Sequence, residues 1–389
     1  MAQPGDLPVV GMVGAGQLAR MTHQAAIALG QPLRVLAADR SDAAALVTPG
    51  VQIGDYTSYD DLAAFAQGCD VVTFDHEHVP GEHIAALAAA GHEVAPSAAA
   101  LRYAQDKRAM RERLGGLGLP VPRWSAVASA DDVAAFGALV GWPMLLKAQT
   151  GGYDGRGVWM LERPDDATEV LASRIALIAE ERVAMRRELA AVVARSPFGQ
   201  AAAWPVVETV QDAGICVEVI APAPGLPDEV AEDAECLALR IAGELGVVGV
   251  LAVELFDTDR GLVINELAMR PHNSAHWTIE GARTSQFEQH LRAVLDYPLG
   301  DPHLTAPAVV MANVLGGPDG GIGIDERLHH LMARWPDVKV HLYGKASRPG
   351  RKIGHVTALG DDVDVVRARA RAAADWLRYA QEPALARAV

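Results

Sequence analysis

Residues 150–157 read TGGYDGRG, set between two runs of strand composition, Met144–Ala148 and Val158–Leu161. Four glycines in eight residues make a hairpin loop whose backbone N–H groups are free to wrap an anion. No GK[ST] closes the stretch, so it is not a Walker loop. Lys147 stands at the end of the preceding strand, a position from which its ammonium could reach a nucleotide phosphate. A flexible surface hairpin would carry glycines too; the chargeable Asp154 and Arg156 set among them favour a functional loop.

Upstream, Val9–Val13, Leu33–Ala37 and Val71–Phe74 read as strands, and Gln17–Leu29, Leu62–Gln67 and His83–Ala90 as helices. That alternation predicts a parallel sheet with helices on both faces. GAGQLA at 14–19, with Asp39 further on, leaves three readings open: a dinucleotide fingerprint, a phosphate site or a structural turn. Leu101–Leu114 reads as one charged amphipathic helix, closed by Gly115, Gly116, Gly118 and Pro120. Asp165–Ala179 reads as a helix and Arg182–Val193 as extended chain.

Downstream, Gly249–Phe256 and Gly261–Leu267 flank a turn and read as a hairpin. Its arms carry Glu254 in VLAVELF and Glu266 in LVINELA. A carboxylate in a buried strand is costly unless paired or metal-bound, and two facing one cleft form a hard oxygen site suited to magnesium. Exposure on the solvent face, or pairing with arginines, is the alternative. AMRPHNSAHWT at 268–278 crowds Arg270, His272, Asn273, Ser274 and His276 into a loop. Pro271 and the missing glutamate argue against a zinc motif, so an anion-handling, proton-placing loop fits better. Ser285–Leu295 reads as a helix and Pro298–Pro307 as a linker. Strands near Val309–Val314 and Lys339–Leu342 and a helix over Asp364–Ala380 form a last small unit. Within it, YGKASRPGRKIGH at 343–355 packs Lys345, Arg348, Arg351 and Lys352 together, as a solvated loop or a phosphate clamp.

With 389 residues, two or three domains are expected. Half the residues are hydrophobic, as in a globular chain, and the net charge of −15 argues against nucleic acid or anionic membrane as partner. Cys69, Cys216 and Cys236 are too widely spaced for a disulfide ladder or a CxxC site and read as buried cytosolic thiols. The N-terminus lacks a secretory pattern, and no apolar run approaches the roughly 20 residues of a membrane span. A cytoplasmic enzyme is expected.

Read in order, GMVGAGQLARM, AQDK, LLKAQTGGYDGRG, VELF, INELAMRPHNSAHWT, SQFEQHLRAV and YGKASRPGRKIGH resemble the ATP-grasp superfamily. Within it they resemble the 5-(carboxyamino)imidazole ribonucleotide synthetases of purine biosynthesis. The resemblance implies mixed α/β and α+β architecture: a parallel, Rossmann-like pre-ATP-grasp domain over 1–103, an ATP-grasp domain over 104–300 and a small C-terminal domain over 301–389. It implies ATP-dependent carboxylation of aminoimidazole ribonucleotide by bicarbonate through carboxyphosphate, with magnesium or manganese, in a homodimer.

Carried over by position, Lys107 and Lys147 would contact ATP phosphates, and Gly152, Tyr153, Asp154, Gly155, Arg156 and Gly157 would close over them. Glu180, Glu181, Arg182 and Val183 match the adenine hinge, Glu188 the ribose contact, and Asn265 lies beside the nucleotide. Gln211 stands where the nucleotide site often has His. Glu254 and Glu266 match the metal ligands. Gln17, Leu18, Glu77, Asn273, Lys345, Arg351 and Lys352 match the ribonucleotide pocket. Tyr153, Asp154, Arg156, Arg270 and His272 would surround the bicarbonate-derived intermediate as catalytic residues, with Asp154 or His272 as general base. Rival readings are a formate-using ligase of glycinamide ribonucleotide, an NAD-dependent oxidoreductase built on GAGQLA and Asp39, and a binding protein without catalysis.

Overall fold

A computed structural model describes residues 7–152, 156–318 and 321–380. Tyr153, Asp154 and Gly155, all expected at the site, lie outside the described residues. The first unit is a parallel sheet of β1 (Val10–Val13), β2 (Leu33–Ala37), β3 (Gly50–Ile53), β4 (Val71–Phe74) and β5 (Glu93–Val94) in the order β3-β2-β1-β4-β5. Around it run α1 (Gln17–Leu29), α2 (Tyr59–Ala66), α3 (Gly81–Ala89) and α4 (Ala98–Gln105). Every residue of β1 and β4 is buried, as a central parallel strand covered by helices on both faces requires. Strand order reverses between these two, so the turns leaving them, Gly14–Gly16 and Asp75–His78, flank the crevice where open α/β sheets bind ligands.

The helix expected over Leu101–Leu114 is two helices, α4 and α5 (Lys107–Gly116), broken at Asp106. Asp106 is extended (φ −125, ψ 106) and caps the Ala109 N–H with its own carboxylate. It also bridges to Thr150, while the Lys107 N–H donates to the Gln149 carbonyl at 2.9 Å. A distant loop thus overrides a continuous local helix pattern and sets Lys107 at the start of the second helix. Next comes an antiparallel sheet of β6 (Trp124–Val127), β7 (Met144–Ala148), β8 (Val158–Leu161) and β9 (Leu177–Glu181), ordered β6-β9-β7-β8. It carries α6 (Ala130–Val140) and α7 (Thr168–Ala172). The helix expected over Asp165–Ala179 is therefore short, and its tail is strand β9. Leu177–Ala179 is wholly buried between two neighbouring strands, and that packing outweighs the helical preference of its Ala and Glu.

The largest sheet holds β10 (Arg187–Arg195), β11 (Ala201–Ala203), β12 (Val207–Asp212), β13 (Ile215–Ala221), β14 (Gly249–Thr258) and β15 (Gly261–Ala268). The expected hairpin is β14–β15, with Glu254 directly opposite Glu266 and a bulge just after Glu254. Helix α8 (Asp228–Glu244) covers one face; α9 (Thr278–Gly281) and α10 (Gln286–Val294) follow the hairpin. β16 (Ala308–Leu315) pairs with β13, and after α11 (Ile324–Arg334) come β17 (Lys339–Leu342) and β18 (Lys352–Gly360), so the C-terminal strands continue the same sheet. Of the basic run read as a loop, Lys352 is in fact the first residue of β18. Helix α12 (Val363–Tyr379) is held by Arg367 and Arg371, which both bind the buried Glu218 of β13 at 2.8 Å. Cys236 is exposed on α8, not buried as expected. No described helix is long and apolar enough to cross a membrane.

Candidate active site

One cleft of ≈ 1110 Å³ runs between the N-terminal crevice, β7 and the large sheet. Lys107 and Lys147 enter it from α5 and β7, both nearly buried. The Lys147 ammonium contacts Glu180 Oε2 at 2.7 Å and Asn265 Oδ1 at 3.3 Å. The other oxygen of Glu180 takes Arg111 Nε at 2.8 Å, and Arg111 also donates to the Ile264 and Asn265 carbonyls. Burial alone would raise the Glu180 carboxyl, but Lys147 and Arg111 more than reverse this and hold it at about 2. Glu180 thus lies beneath the cleft as the anchor of a lysine, and Glu181 is turned away to Arg123 at 2.7 Å. Neither they nor Arg182 and Val183 line the cleft.

Cross-strand register builds a polar row on one face of the large sheet. Glu266 opposes Glu254, and Glu188 of β10 is the diagonal neighbour of Glu254 because Ala190 is its direct partner. Gln211, on β12, hydrogen-bonds Glu188. Burial, then the charges of Glu266 and Glu188, push Glu254 up to about 7. Lys107 lies 2.6 Å from Glu266 Oε1, Lys147 acts on Glu188, and Lys352 and Arg270 act on Glu254, which partly offsets the row's negative charge. Among the described residues no three His, Cys, Asp or Glu side chains converge as a preformed metal cage. Two carboxylates plus phosphate oxygens are the donor set magnesium takes in nucleotide sites, so the residues present fit that ion.

At the other end, Arg270 Nε pairs with Glu77 Oε2 at 2.7 Å, so these two expected residues meet each other directly. His272 Nδ1 accepts from the Ser274 N–H at 3.4 Å and lies 2.8 Å from its hydroxyl; the proton therefore sits on Nε2, which faces Glu254 Oε1 at 3.5 Å. Burial, then the charges of Arg270 and Lys352, lower His272 to about 3, so the ring is neutral. Asn273 exchanges amide hydrogen bonds with Asn313 at 3.0 and 2.8 Å. The side chain of Lys345 hydrogen-bonds that of Gln17 at the start of α1, closing the C-terminal segment onto the first unit. Gln17, Leu18, Asn273 and Lys352 line the cleft; Arg156 and Arg351 are exposed and outside its wall.

Asp75 is not among the expected site residues. Its carboxylate takes the Gly16 N–H at 2.5 Å, and a Cβ on Gly14 (φ 101) would stand 1.8 Å from its Oδ1. The Gly16 amide that a dinucleotide pyrophosphate would use is already taken by the Asp75 carboxyl group, which argues against GAGQLA as an NAD fingerprint. The signal was present: DHEH follows a fully buried strand at the switch point of a parallel sheet. Tyr56 and His76, in contact at 4.6 Å, line the same end.

Three domain families match in chain order: a ribonucleotide synthetase preATP-grasp domain over residues 7–105, an ATP-grasp domain over 112–287, and a phosphoribosylaminoimidazole carboxylase C-terminal domain over 309–369. A relative named N5-carboxyaminoimidazole ribonucleotide synthase, from Mycobacterium tuberculosis, is 61% identical over 378 residues, covering 96% of this chain and 88% of its own. A solved ADP complex of an N5-carboxyaminoimidazole ribonucleotide synthetase superposes with a TM-score of 0.88 at 33% identity, over 96% of this chain and 98% of the other. The Aspergillus clavatus N5-carboxyaminoimidazole synthase, solved with ADP and 5-aminoimidazole ribonucleotide, gives 0.87 at 31% identity, over 96% and 99%. The chain belongs to the N5-carboxyaminoimidazole ribonucleotide synthase family of ATP-grasp ligases.

Proposed function

We propose that the chain carboxylates the amine of 5-aminoimidazole ribonucleotide with bicarbonate at the expense of ATP, forming N5-carboxyaminoimidazole ribonucleotide, ADP and phosphate in purine biosynthesis. The observation that carries this reading is the single cleft that joins a carboxylate-and-lysine end to an Arg270–Glu77 and Gln17–Lys345 end. The ADP and ribonucleotide of the A. clavatus relative support the two ligands.

A bicarbonate oxygen attacks the γ-phosphorus, the bond to ADP breaks, and carboxyphosphate forms. Lys147, fixed by Glu180, and Lys107 lay positive charge along the phosphates, a positioning and electrostatic task. Glu254 and Glu266 would hold magnesium or manganese, which supplies charge neutralisation at phosphate oxygens when bound. Glu188 takes the ribose and the backbone of the 180–183 hinge takes the base, with Asn265 and Gln211 beside them. The Glu180 and Glu181 side chains are turned instead to Lys147, Arg111 and Arg123. The 150–157 loop, including Gly152, Tyr153, Asp154, Gly155, Arg156 and Gly157, covers the carboxyphosphate and keeps water out. Arg270 stabilises its carboxylate while the amine attacks carbon and the bond to phosphate breaks. The amine proton goes to Asp154 or His272; the Nε2–H tautomer above favours Asp154. Gln17, Leu18, Asn273, Lys345, Arg351 and Lys352 hold the ribonucleotide, its phosphate against the basic residues and the Gln17–Leu18 start of α1 rather than the Gly16 N–H, which Asp75 occupies.

Residues 1–103, 104–300 and 301–389 then divide the labour as ribonucleotide, nucleotide and phosphate-clamp domains. The same reading carries the family expectation of a cytoplasmic homodimer. The test is ADP release with magnesium, ATP and bicarbonate, with and without the ribonucleotide. A rise only with the ribonucleotide supports the reading; a rise with formate and glycinamide ribonucleotide instead would replace it.

A further inference from the structure

The segment SQFEQHLRAV forms α10 and its cap, and none of its polar side chains enters the chemistry above. Gln286 is wholly buried, and its amide is spent on one loop. Oε1 accepts the His272 N–H at 2.7 Å, while Nε2 donates to the His272 carbonyl at 2.8 Å and lies 2.9 Å from His276 Nδ1. Its backbone N–H donates to Thr278 Oγ1 at 2.9 Å. One side chain therefore grips both backbone groups of His272, as a neighbouring strand would. The loop needs this grip: β15 has ended at Ala268, and Pro271 has no N–H to offer. Glu77 holds Arg270 on one side of Pro271, and Gln286 holds His272 on the other.

We propose that Gln286 is a positioning residue, which sets Arg270 and His272 against the reacting carboxyl group and so couples ATP cleavage to carboxylation. This rests on the function proposed above. Only a primary amide presents an acceptor and a donor at this reach. Glutamate keeps the acceptor, and methionine, of similar shape, keeps neither. Displacement of the loop by about 1 Å costs on the order of 10²-fold in turnover. It also leaves carboxyphosphate, formed at the undisturbed nucleotide end, exposed to water.

The test measures ADP and carboxylated ribonucleotide together in wild type, Gln286→Glu and Gln286→Met. Wild type is expected to give one ADP per product. The variants should turn over more slowly, methionine below glutamate, with KM for ATP within about twofold of wild type and an ADP-to-product ratio at least about twofold higher. Thr278→Val, which removes the acceptor of the Gln286 N–H, should raise the ratio less, and it carries the test should both Gln286 variants fail to fold. A residue that only stabilises the fold would reduce active protein and leave both KM values and the ratio unchanged. That result in any folded variant overturns the inference. A wild type that forms no carboxylated product overturns the proposed function instead, and this inference with it.

Discussion

Replacing Glu180 by Gln removes a single negative charge that lies buried between two cations on different elements, Lys147 of β7 and Arg111 of α5. The two cations hold the Glu180 carboxyl at about 2 against an ordinary 4.5, a difference of about 3 kcal/mol between its ionised and neutral forms. Breaking a buried ion pair by removing one partner costs about 3–5 kcal/mol, which agrees in size. Glu180→Gln is therefore expected to lose about 3 kcal/mol at pH 7, read from the shift in urea midpoint of the unit containing β6–β9. The carboxyl is depressed in the folded chain, so its contribution is complete above pH 4.5 and is lost as the pH falls toward 2. The gap between wild type and variant should narrow over that window. KM for ATP should rise, because Lys147 loses the partner that fixes it. A gap under about 1 kcal/mol at pH 7, or one that does not change between pH 5 and pH 3, would refute the reasoning.

Glu266→Ala, which halves the carboxylate pair, should reduce turnover by at least about 10²-fold with an unchanged circular dichroism spectrum; normal activity would sink the metal assignment. Lys345→Ala should raise KM for the ribonucleotide more than KM for ATP, and equal effects on both would count against the phosphate clamp. His290, wholly buried between Thr73 at 2.8 Å and the Val250 N–H at 3.2 Å, is lowered by burial to about 4. Unfolding frees it to take a proton below its ordinary 6.5, so stability falls with pH through that window, by about 2 kcal/mol at pH 5. Urea midpoints at pH 7 and pH 5 check this, and a His290→Gln variant should show a shallower slope; an unchanged slope would contradict it.

The N-terminal βαβ rhythm, the β14–β15 hairpin and Lys147 at a strand end were legible because each is encoded locally, by periodicity or by a turn. What escaped depends on contacts far apart in the chain. Residues 101–114 carry a continuous helical pattern, and the contacts of Asp106 and Lys107 with Thr150 and Gln149 break it. Glu180 sits on a strand whose residues favour a helix, and its partners lie far along the chain at Arg111 and Lys147. Its buried surroundings turn both oxygens to cations. Asp75 is a lone acid after a strand, and its meaning comes from the Gly14–Gly16 turn that folds over it. β12 and β13 mix polar and apolar residues because one face carries the polar row and a bulge shifts their register, so neither reads as a clean alternation.

The most direct test of ATP-driven carboxylation in this cleft uses bicarbonate labelled with oxygen-18, in turnover with ATP and the aminoimidazole ribonucleotide. Attack of a bicarbonate oxygen on the γ-phosphorus, followed by cleavage of the carbon–oxygen bond, predicts one labelled oxygen in each phosphate released. Phosphate released without label, in amounts equal to ADP, would contradict the account.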